Sequence, residues 1–138
     1  MTMPVTLEPS ASVPFRRRML ARVAVCAALP LARMSPGRLR RVLTAVRRGA
    51  RPATEAEALA AREAIVTVSV RCAGQGCLPR SVASALLCRL YGRWPDWCTG
   101  IRTEPFRAHA WIEVDGRPIG ELGDIAYFHK VMTVRAEP

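Results

Sequence analysis

Residues 74–92 read GQGCLPRSVASALLCRLYG and combine a tight loop with the start of a helix. Gly74-Gln75-Gly76 predicts the loop, and Cys77 follows it directly. We expect the helix to end at Gly92, because a glycine commonly terminates a helix. Pro79 would stand in the first turn, where its missing N–H removes no hydrogen bond. The stretch therefore predicts a thiol at a helix N-terminus.

Alternating residues after this helix predict a small antiparallel sheet. Residues 108–114 place His109, Trp111 and Glu113 on one face and apolar side chains on the other. Asp115-Gly116 marks a turn. Three segments are predicted as strands, and a fourth as a strand or a short helix: residues 97–103, 108–114 and 117–122, and residues 125–134.

Helical patterns fill the first half of the chain. Residues 15–32 predict a helix that gathers apolar side chains on one face: Met19, Val23, Cys26 and Ala27. Ser35-Pro36 predicts a second helix, with an N-cap followed by proline at the first helical position. Thr54–Glu57 fits a capping box for a third helix, which we expect to continue to about Cys72. The β-branched run at residues 65–70 makes a strand the competing prediction there.

Length and composition favour a single α+β domain. The chain has 138 residues, 50% of them apolar and 23% charged, which suits one buried core and hardly two domains. Its longest apolar run, residues 23–32, is half of the roughly twenty residues that a membrane-spanning helix needs. We predict a flexible tail at residues 1–14 and one domain at residues 15–138, with a helical N-terminal half and a small antiparallel sheet.

The positive charge is concentrated in the first third of the chain. Residues 1–52 hold eleven Arg and one acid, Glu8, which gives +10, whereas residues 53–138 hold nine Arg, one Lys and ten acids. We therefore separate a basic helical region, residues 15–52, from an electroneutral core. The arginines fit an acidic partner, a solvated helix face, nucleic acid or a membrane interface. Nucleic acid is disfavoured, because Phe15 is the only aromatic residue of the basic region.

The five cysteines favour reduced thiols and a cytoplasmic location. Their number is odd, no CxxC pair occurs, and the two histidines, His109 and His129, lack zinc-finger spacing. Residues 14–32 resemble a secretion signal, but Arg22 interrupts the apolar stretch and no small-residue cleavage site follows. We expect no metal and no organic cofactor. Three cysteines are interpreted as core residues: Cys72, Cys88 and Cys98.

Cys77 and His109 together suggest nucleophilic chemistry. A thiol at a helix N-terminus lies near unpaired backbone N–H groups and the positive end of the helix dipole, which favour the thiolate. The same N–H groups can hold an oxyanion, and Gln75 is either a further donor or an ordinary loop residue. A histidine on a neighbouring strand can take the thiol proton and pass it to a leaving amine.

The hairpin register selects the carboxylate that would orient His109. If Val114-Asp115-Gly116 forms a three-residue loop, Glu121 lies opposite His109 on the same face. A two-residue turn would instead pair His109 with Leu122 and turn Glu121 to the opposite face. We predict the three-residue loop and Glu121, with Asp124 as the fallback.

A structural interpretation of these residues stays open. A cysteine at a helix start is commonly a small buried side chain, and a single strand histidine is commonly a packing residue. The alternative function is then a non-catalytic basic interaction module in which the Cys77–His109 pair is structural. His129 is interpreted as a packing residue, and Trp111 as a wall of the cleft and not a platform on which substrate stacks.

Three features match a known family: CLPRS at residues 77–81, PFRAHAWIEVDG at residues 105–116, and the Gly-acid pair Gly120-Glu121. With the residues around them, they resemble the lasso-peptide leader peptidases, the cysteine-protease B proteins of lasso-peptide biosynthesis. The resemblance covers residues 72–122 and implies a transglutaminase-like or papain-like cysteine protease core. The helices before it resemble the N-terminal region of the family less specifically.

The resemblance implies a cysteine peptidase with residues 53–138 as its catalytic core. Cys77 matches the nucleophile and His109 the base, and Glu121 stands where the family usually has Asp. The implied reaction removes the leader peptide from a lasso-peptide precursor, which frees the core N-terminus for macrolactam closure by a separate cyclase. The chain is too short for the leader-recognition domain that some members carry. A separate leader-recognition-element protein is therefore the implied partner, with the lasso cyclase as a further candidate.

Overall fold

The computed structural model describes residues 13–74, 76–121 and 123–137. Helices and strands follow each other in this order: α1 (Phe15–Leu31), α2 (Pro36–Val46), β1 (Arg51–Pro52), α3 (Glu55–Val68), α4 (Val70–Ala73), α5 (Cys77–Leu90), β2 (Arg93–Trp94), β3 (Asp96–Arg102), β4 (Arg107–Val114), β5 (Arg117–Pro118), a 3-10 turn (Gly123–Tyr127) and β6 (His129–Val134). Of the residues that the structure describes, 53% are helical, and a small antiparallel sheet accompanies them, which confirms the α+β class. Most of the tail predicted at residues 1–14 lies outside the described residues.

The first helices begin where the sequence predicts. Ser35 precedes α2 in an extended conformation, and Pro36 is its first residue. At the start of α3, the Glu57 N–H donates to Thr54 Oγ1 at 3.1 Å, and the Thr54 N–H donates to Glu57 Oε1 at 2.9 Å. The predicted capping box is therefore confirmed.

The third helix is shorter than predicted. α3 ends at Val68 instead of continuing to Cys72, because Ser69 adopts extended backbone angles. The Ser69 hydroxyl then accepts the Cys72 N–H at 3.2 Å and caps the short helix α4. A serine competes for backbone hydrogen bonds in this way, and the β-branched residues before it weaken the helix further. The competing strand at residues 65–70 is not formed.

Helix α1 buries its alanines and exposes its larger apolar side chains. Ala21, Ala24 and Ala28 are at most 2% exposed. This face packs against α5 and α3, where small side chains let the helices approach closely. The apolar residues that the sequence groups on one face of α1 are thus largely on the surface. We call the exposed row the α1 stripe: Phe15, Met19, Val23 and Cys26.

The main sheet has the strand order β5-β4-β3-β6, and all its neighbours are antiparallel. β3 and β4 confirm the first two predicted strands to within one residue. The third is wrong in length, because β5 contains two residues and not the six of 117–122. Residues 125–134 contain both predicted alternatives, a helical turn and then β6. A short parallel pair, β1 with β2, lies outside this sheet.

Helix α5 packs on β4 and so carries its N-terminus to the sheet. The Trp97 indole N–H on β3 donates to Ser81 Oγ on α5 at 3.0 Å, and both residues are buried. Cys72, Cys88 and Cys98 are at most 3% exposed, which confirms their prediction as core residues. None of the helices within the described ranges has the length and hydropathy needed to cross a bilayer.

Candidate active site

The turn between β4 and β5 has two residues, so the predicted three-residue loop is wrong. Val114 pairs with Arg117 across the turn. Asp115 and Gly116 both have positive φ, 52° and 78°, which is typical of a type I′ hairpin. Asp-Gly suits this turn because glycine adopts the left-handed region freely and aspartate tolerates it.

Glu121 nevertheless reaches His109, by a different route from the one predicted. In this register a continuous ladder would turn Glu121 away from the face of His109. The ladder ends where the Ile119 N–H donates to the Ile112 carbonyl at 2.9 Å, and Gly120 then takes a φ of 68°. This left-handed residue breaks the alternation of side chains, and a carboxylate oxygen of Glu121 hydrogen-bonds His109 Nε2.

Arg62 on α3 holds the other oxygen of Glu121. Arg62 Nη2 lies 3.5 Å from Glu121 Oε2, and both side chains are 7% exposed. The arginine also passes directly beside Gly120, where an added Cβ would lie 2.8 Å from Arg62 Cδ. Glycine is thus required at residue 120 for its backbone conformation and for the space beside it.

The His109 ring is fixed on several sides. Because its Nε2 faces Glu121, Nδ1 is the ring nitrogen left for the Cys77 thiol. The ring stacks on Trp111, with centroids 5.9 Å apart and planes 17° apart, and Phe128 lies 5.6 Å away on a tilt. Trp111 is itself buried, at 3% exposed.

Cys77 is the first residue of α5 and is half-buried. Burial alone would raise the pKa of its thiol. A hydrogen bond with His109, the Ala110 backbone N–H and the positive charges of His109 and Arg80 outweigh that effect and hold the pKa of Cys77 below its ordinary value. The environment therefore favours the thiolate, as the position at a helix N-terminus predicts.

The pKa values of Cys77, His109 and Glu121 depend on one another. Hydrogen bonds to Cys77 and then to Glu121 raise the pKa of His109 to about 9, against the opposing effect of burial. Burial would raise the pKa of Glu121, but the hydrogen bond from His109 and the charges of His109 and Arg62 keep it below its ordinary value. The three groups therefore favour the thiolate of Cys77, the imidazolium of His109 and the carboxylate of Glu121.

The start of α5 offers donors for a developing negative charge. The N-cap is Gly76, which has no side chain to accept the first-turn N–H groups. The N–H groups of Cys77 and Leu78 precede the first possible intrahelical bond and stay available. They can stabilise an oxyanion formed next to the thiol. The Gln75 side chain, the other candidate donor, lies outside the described residues.

An apolar groove lies beside the thiol. It encloses about 280 Å³, and Cys77 and His109 form its polar end. Apolar side chains of α2, α5 and three strands of the sheet line it: Pro36, Leu78, Ile101, Ala108, Ala110, Val131 and Met132. The groove provides room for an extended peptide next to the thiol.

Two arginines of the site are missed by reasoning from the sequence. Arg62 lies on the buried face of α3 with Ala58 and Ile65, so a charge on an apolar helix face is the signal that could identify it. Arg80 lies in the first turn of α5, and its Nη1 donates to the carbonyls of Cys72 at 3.1 Å and Gly74 at 3.2 Å. These bonds fix the loop that precedes Cys77.

Among the described residues, neither of the remaining candidates hydrogen-bonds the His109 ring. Asp124, the fallback carboxylate, is half-exposed and faces Arg102, with Nη1 and Oδ2 3.8 Å apart. His129 is exposed at the start of β6, so its predicted packing role is wrong. In the part of the chain that the structure describes, no group of three or more His, Cys, Asp or Glu side chains could hold a metal ion.

A helix that begins at a thiol and packs on an antiparallel sheet carrying a histidine and a carboxylate is typical of the transglutaminase-like class of protein. The family model described as Transglutaminase-like superfamily matches residues 21–133, from α1 into β6. The chain belongs to this superfamily, which includes cysteine peptidases. No curated protein and no solved structure matches the chain.

We expect Cys77 to react with iodoacetamide before the other thiols at about pH 6, below the ordinary thiol pKa. Cys26 is the internal comparison, because it is exposed whereas Cys77 is half-buried. Access alone would favour Cys26, but the thiolate is the reactive form and favours Cys77. Peptide mapping by mass spectrometry after limited labelling measures the order. With His109→Ala, Cys77 should no longer be labelled faster than Cys26. Labelling of Cys26 first in the unaltered protein would contradict the assignment of Cys77 as the nucleophile.

We expect Glu121→Gln to lower the pKa of His109 from about 9 towards 6.5. The amide keeps the size of the side chain but removes the charge that stabilises the imidazolium. Imidazolium is lost as pH rises through the pKa of His109, so the alkaline limb of the pH–activity profile should move to lower pH. Peptide turnover should fall about 100-fold or more, as in other triads that lose this charge. An NMR titration of His109 and cleavage rates measure the two effects.

Asp124→Asn is the matched control, because it removes the same charge from a neighbouring position. It should leave the His109 titration in place, since Asp124 faces Arg102. Glu121→Asp should be milder than Glu121→Gln, because it keeps the charge on a shorter side chain. If Asp124→Asn shifts the titration and Glu121→Gln does not, Asp124 is the orienting group.

Proposed function

We propose that the protein is a cysteine peptidase that removes the leader peptide from a lasso-peptide precursor. The observation that carries the peptidase activity is the bonded row of Cys77, His109 and Glu121 at the start of α5. Membership in a superfamily that includes cysteine peptidases supports the same chemistry. The lasso-peptide substrate rests on the resemblance of residues 72–122, above all on CLPRS and PFRAHAWIEVDG.

The reaction proceeds in two steps. The Cys77 thiolate attacks the carbonyl carbon of the scissile peptide bond, and the N–H groups of the first turn of α5 hold the oxyanion. His109 gives its proton to the leaving nitrogen, so the C–N bond breaks and a thioester remains. Water then loses a proton to His109 and attacks the thioester, which frees the leader as a carboxylic acid and restores the Cys77 thiolate and the His109 imidazolium. Glu121 keeps the imidazole oriented and stabilises its charge through both steps.

Each half of the precursor has a proposed partner protein. The released core peptide carries a new N-terminal amine, which a separate lasso cyclase can join to a side-chain carboxylate as a macrolactam. The leader peptide is presented by a separate leader-recognition-element protein. Both partners are part of the proposal because the resemblance implies them.

The basic helix α2 supports docking of an acidic partner next to the site. Its first residue, Pro36, lines the apolar groove that contains Cys77, so the helix begins next to the site. Residues 15–52 contain no acidic side chain. The arginines of this surface that are exposed on or just after α2 are Arg38, Arg40, Arg41 and Arg48. We call them the α2 arginines.

Mass spectrometry of a lasso precursor peptide after incubation with the protein tests the proposal. Two fragments that meet at one bond should appear, and they should disappear with Cys77→Ala, which removes the nucleophile from a cleft and leaves the fold intact. Omitting the leader-recognition-element protein should slow cleavage. An intact precursor in the presence of that protein, with Cys77 and Cys77→Ala alike, would favour the non-catalytic interaction module.

We expect reversal of three α2 arginines to Glu to weaken association with the acidic partner or precursor, most strongly at low salt. Salt screens charges on exposed surfaces, so the difference should shrink as ionic strength rises. Binding by titration calorimetry at two salt concentrations measures it. Arg47 is left unchanged, because its Nη1 bonds the Arg135 carbonyl and a substitution there would alter packing. Normal binding and cleavage by the reversed protein at low salt would make the α2 arginines a solvated face.

A further inference from the structure

A second hollow adjoins His109 and differs from the apolar groove in its charge. It encloses about 220 Å³, and we call it the arginine cavity. Its charged lining comprises three arginines, two carboxylates and the histidine: Arg62, Arg80, Arg107, Glu121, Asp124 and His109. Cys77 lines the apolar groove and is not among the residues that line this cavity. His109 therefore stands between the two hollows.

Most of the charged groups of the arginine cavity already have partners. Glu121 is held by His109 and Arg62, and Arg80 donates to the carbonyls that precede Cys77. Asp124 faces Arg102, which comes from outside the cavity lining.

Arg107 differs from these groups. It is exposed at the first residue of β4, and among the described residues its guanidinium makes no hydrogen bond or ion pair. The cavity thus presents an uncommitted cation close to the reacting histidine.

The chemistry assigns each hollow to one side of the scissile bond. The carbonyl carbon must lie at Cys77, and the leaving nitrogen must lie within reach of the His109 proton. The acyl segment then occupies the apolar groove, which contains the thiol. The segment released as an amine passes over His109 towards the arginine cavity.

We propose that the arginine cavity is a subsite for a carboxylate side chain of the released segment, with Arg107 as its principal contact and Arg80 as a supporting charge. The proposal rests on the proposed peptidase function and adds a substrate class to it: peptides with Asp or Glu shortly after the cleaved bond. A guanidinium binds a carboxylate through two parallel hydrogen bonds, which makes an arginine on a cavity wall selective for an acid.

Two affinity reagents test the subsite without knowledge of the natural precursor. Bromoacetyl-aspartate amide and bromoacetyl-asparagine amide differ by one charge, and each alkylates a thiolate with loss of bromide. We expect the aspartate reagent to modify Cys77 about two- to fivefold faster than the asparagine reagent, the size of one exposed ion pair. Arg107→Glu should bring that ratio to one or below. Arg117→Glu is the matched control, because Arg117 is an exposed arginine of the same sheet that lies outside the cavity.

Each outcome decides between the subsite and the peptidase. Equal rates for the two reagents, or a preference for aspartate that survives Arg107→Glu, would overturn the subsite and leave the peptidase standing. A preference lost in Arg107→Glu and kept in Arg117→Glu supports the subsite. If that preference is present but no precursor is cleaved, the subsite stands and the peptidase fails. No reaction of Cys77 with either reagent would overturn both.

Discussion

The buried ion pair between Arg62 and Glu121 is the interaction on which the geometry of the site depends. It joins α3 to the segment after β5, and Glu121 passes the connection on to His109 on β4. Breaking a buried pair by removing one partner typically costs about 3–5 kcal/mol, because an uncompensated charge remains. If Glu121 were removed, the Arg62 guanidinium would be left buried near His109, and the imidazolium would lose the carboxylate that balances its charge. Fold stability and orientation of His109 are therefore linked through one carboxylate.

The half-buried position of the Cys77 thiol has one unfavourable and one favourable consequence for catalysis. Withdrawal from water makes the Cys77 thiolate less stable, yet a peptide can be held next to the sulfur only in a hollow that excludes some water. The N-terminus of α5 resolves the conflict by supplying fixed backbone dipoles, and His109 adds a full charge. Arg80 contributes as well, and it also fixes the preceding loop. The start of α5 thus positions the sulfur, and β4 supplies the main groups that activate it.

Features that are decided by neighbouring residues in the sequence were predicted more accurately than contacts that depend on tertiary packing. The capping box at Thr54 and the start of α5 at Cys77 were visible because each is decided within a few residues. The contact of Glu121 with His109 was predicted from the wrong hairpin register, since the positive φ of Gly120 has no signature in an alternating pattern. The role of Arg62 was missed because its partner is 59 residues away.

The α1 stripe makes self-association of the molecule depend on salt concentration. Phe15 is 76% exposed and Val23 57%, on a helix that also carries several arginines. With a net charge of +10, copies of the chain repel one another in dilute buffer and the apolar rows stay apart. Concentrated salt shortens that repulsion to a few ångströms and strengthens contact between apolar surfaces. Colloidal stability is thus greatest at low ionic strength, where repulsion between the positively charged copies keeps their exposed apolar rows apart.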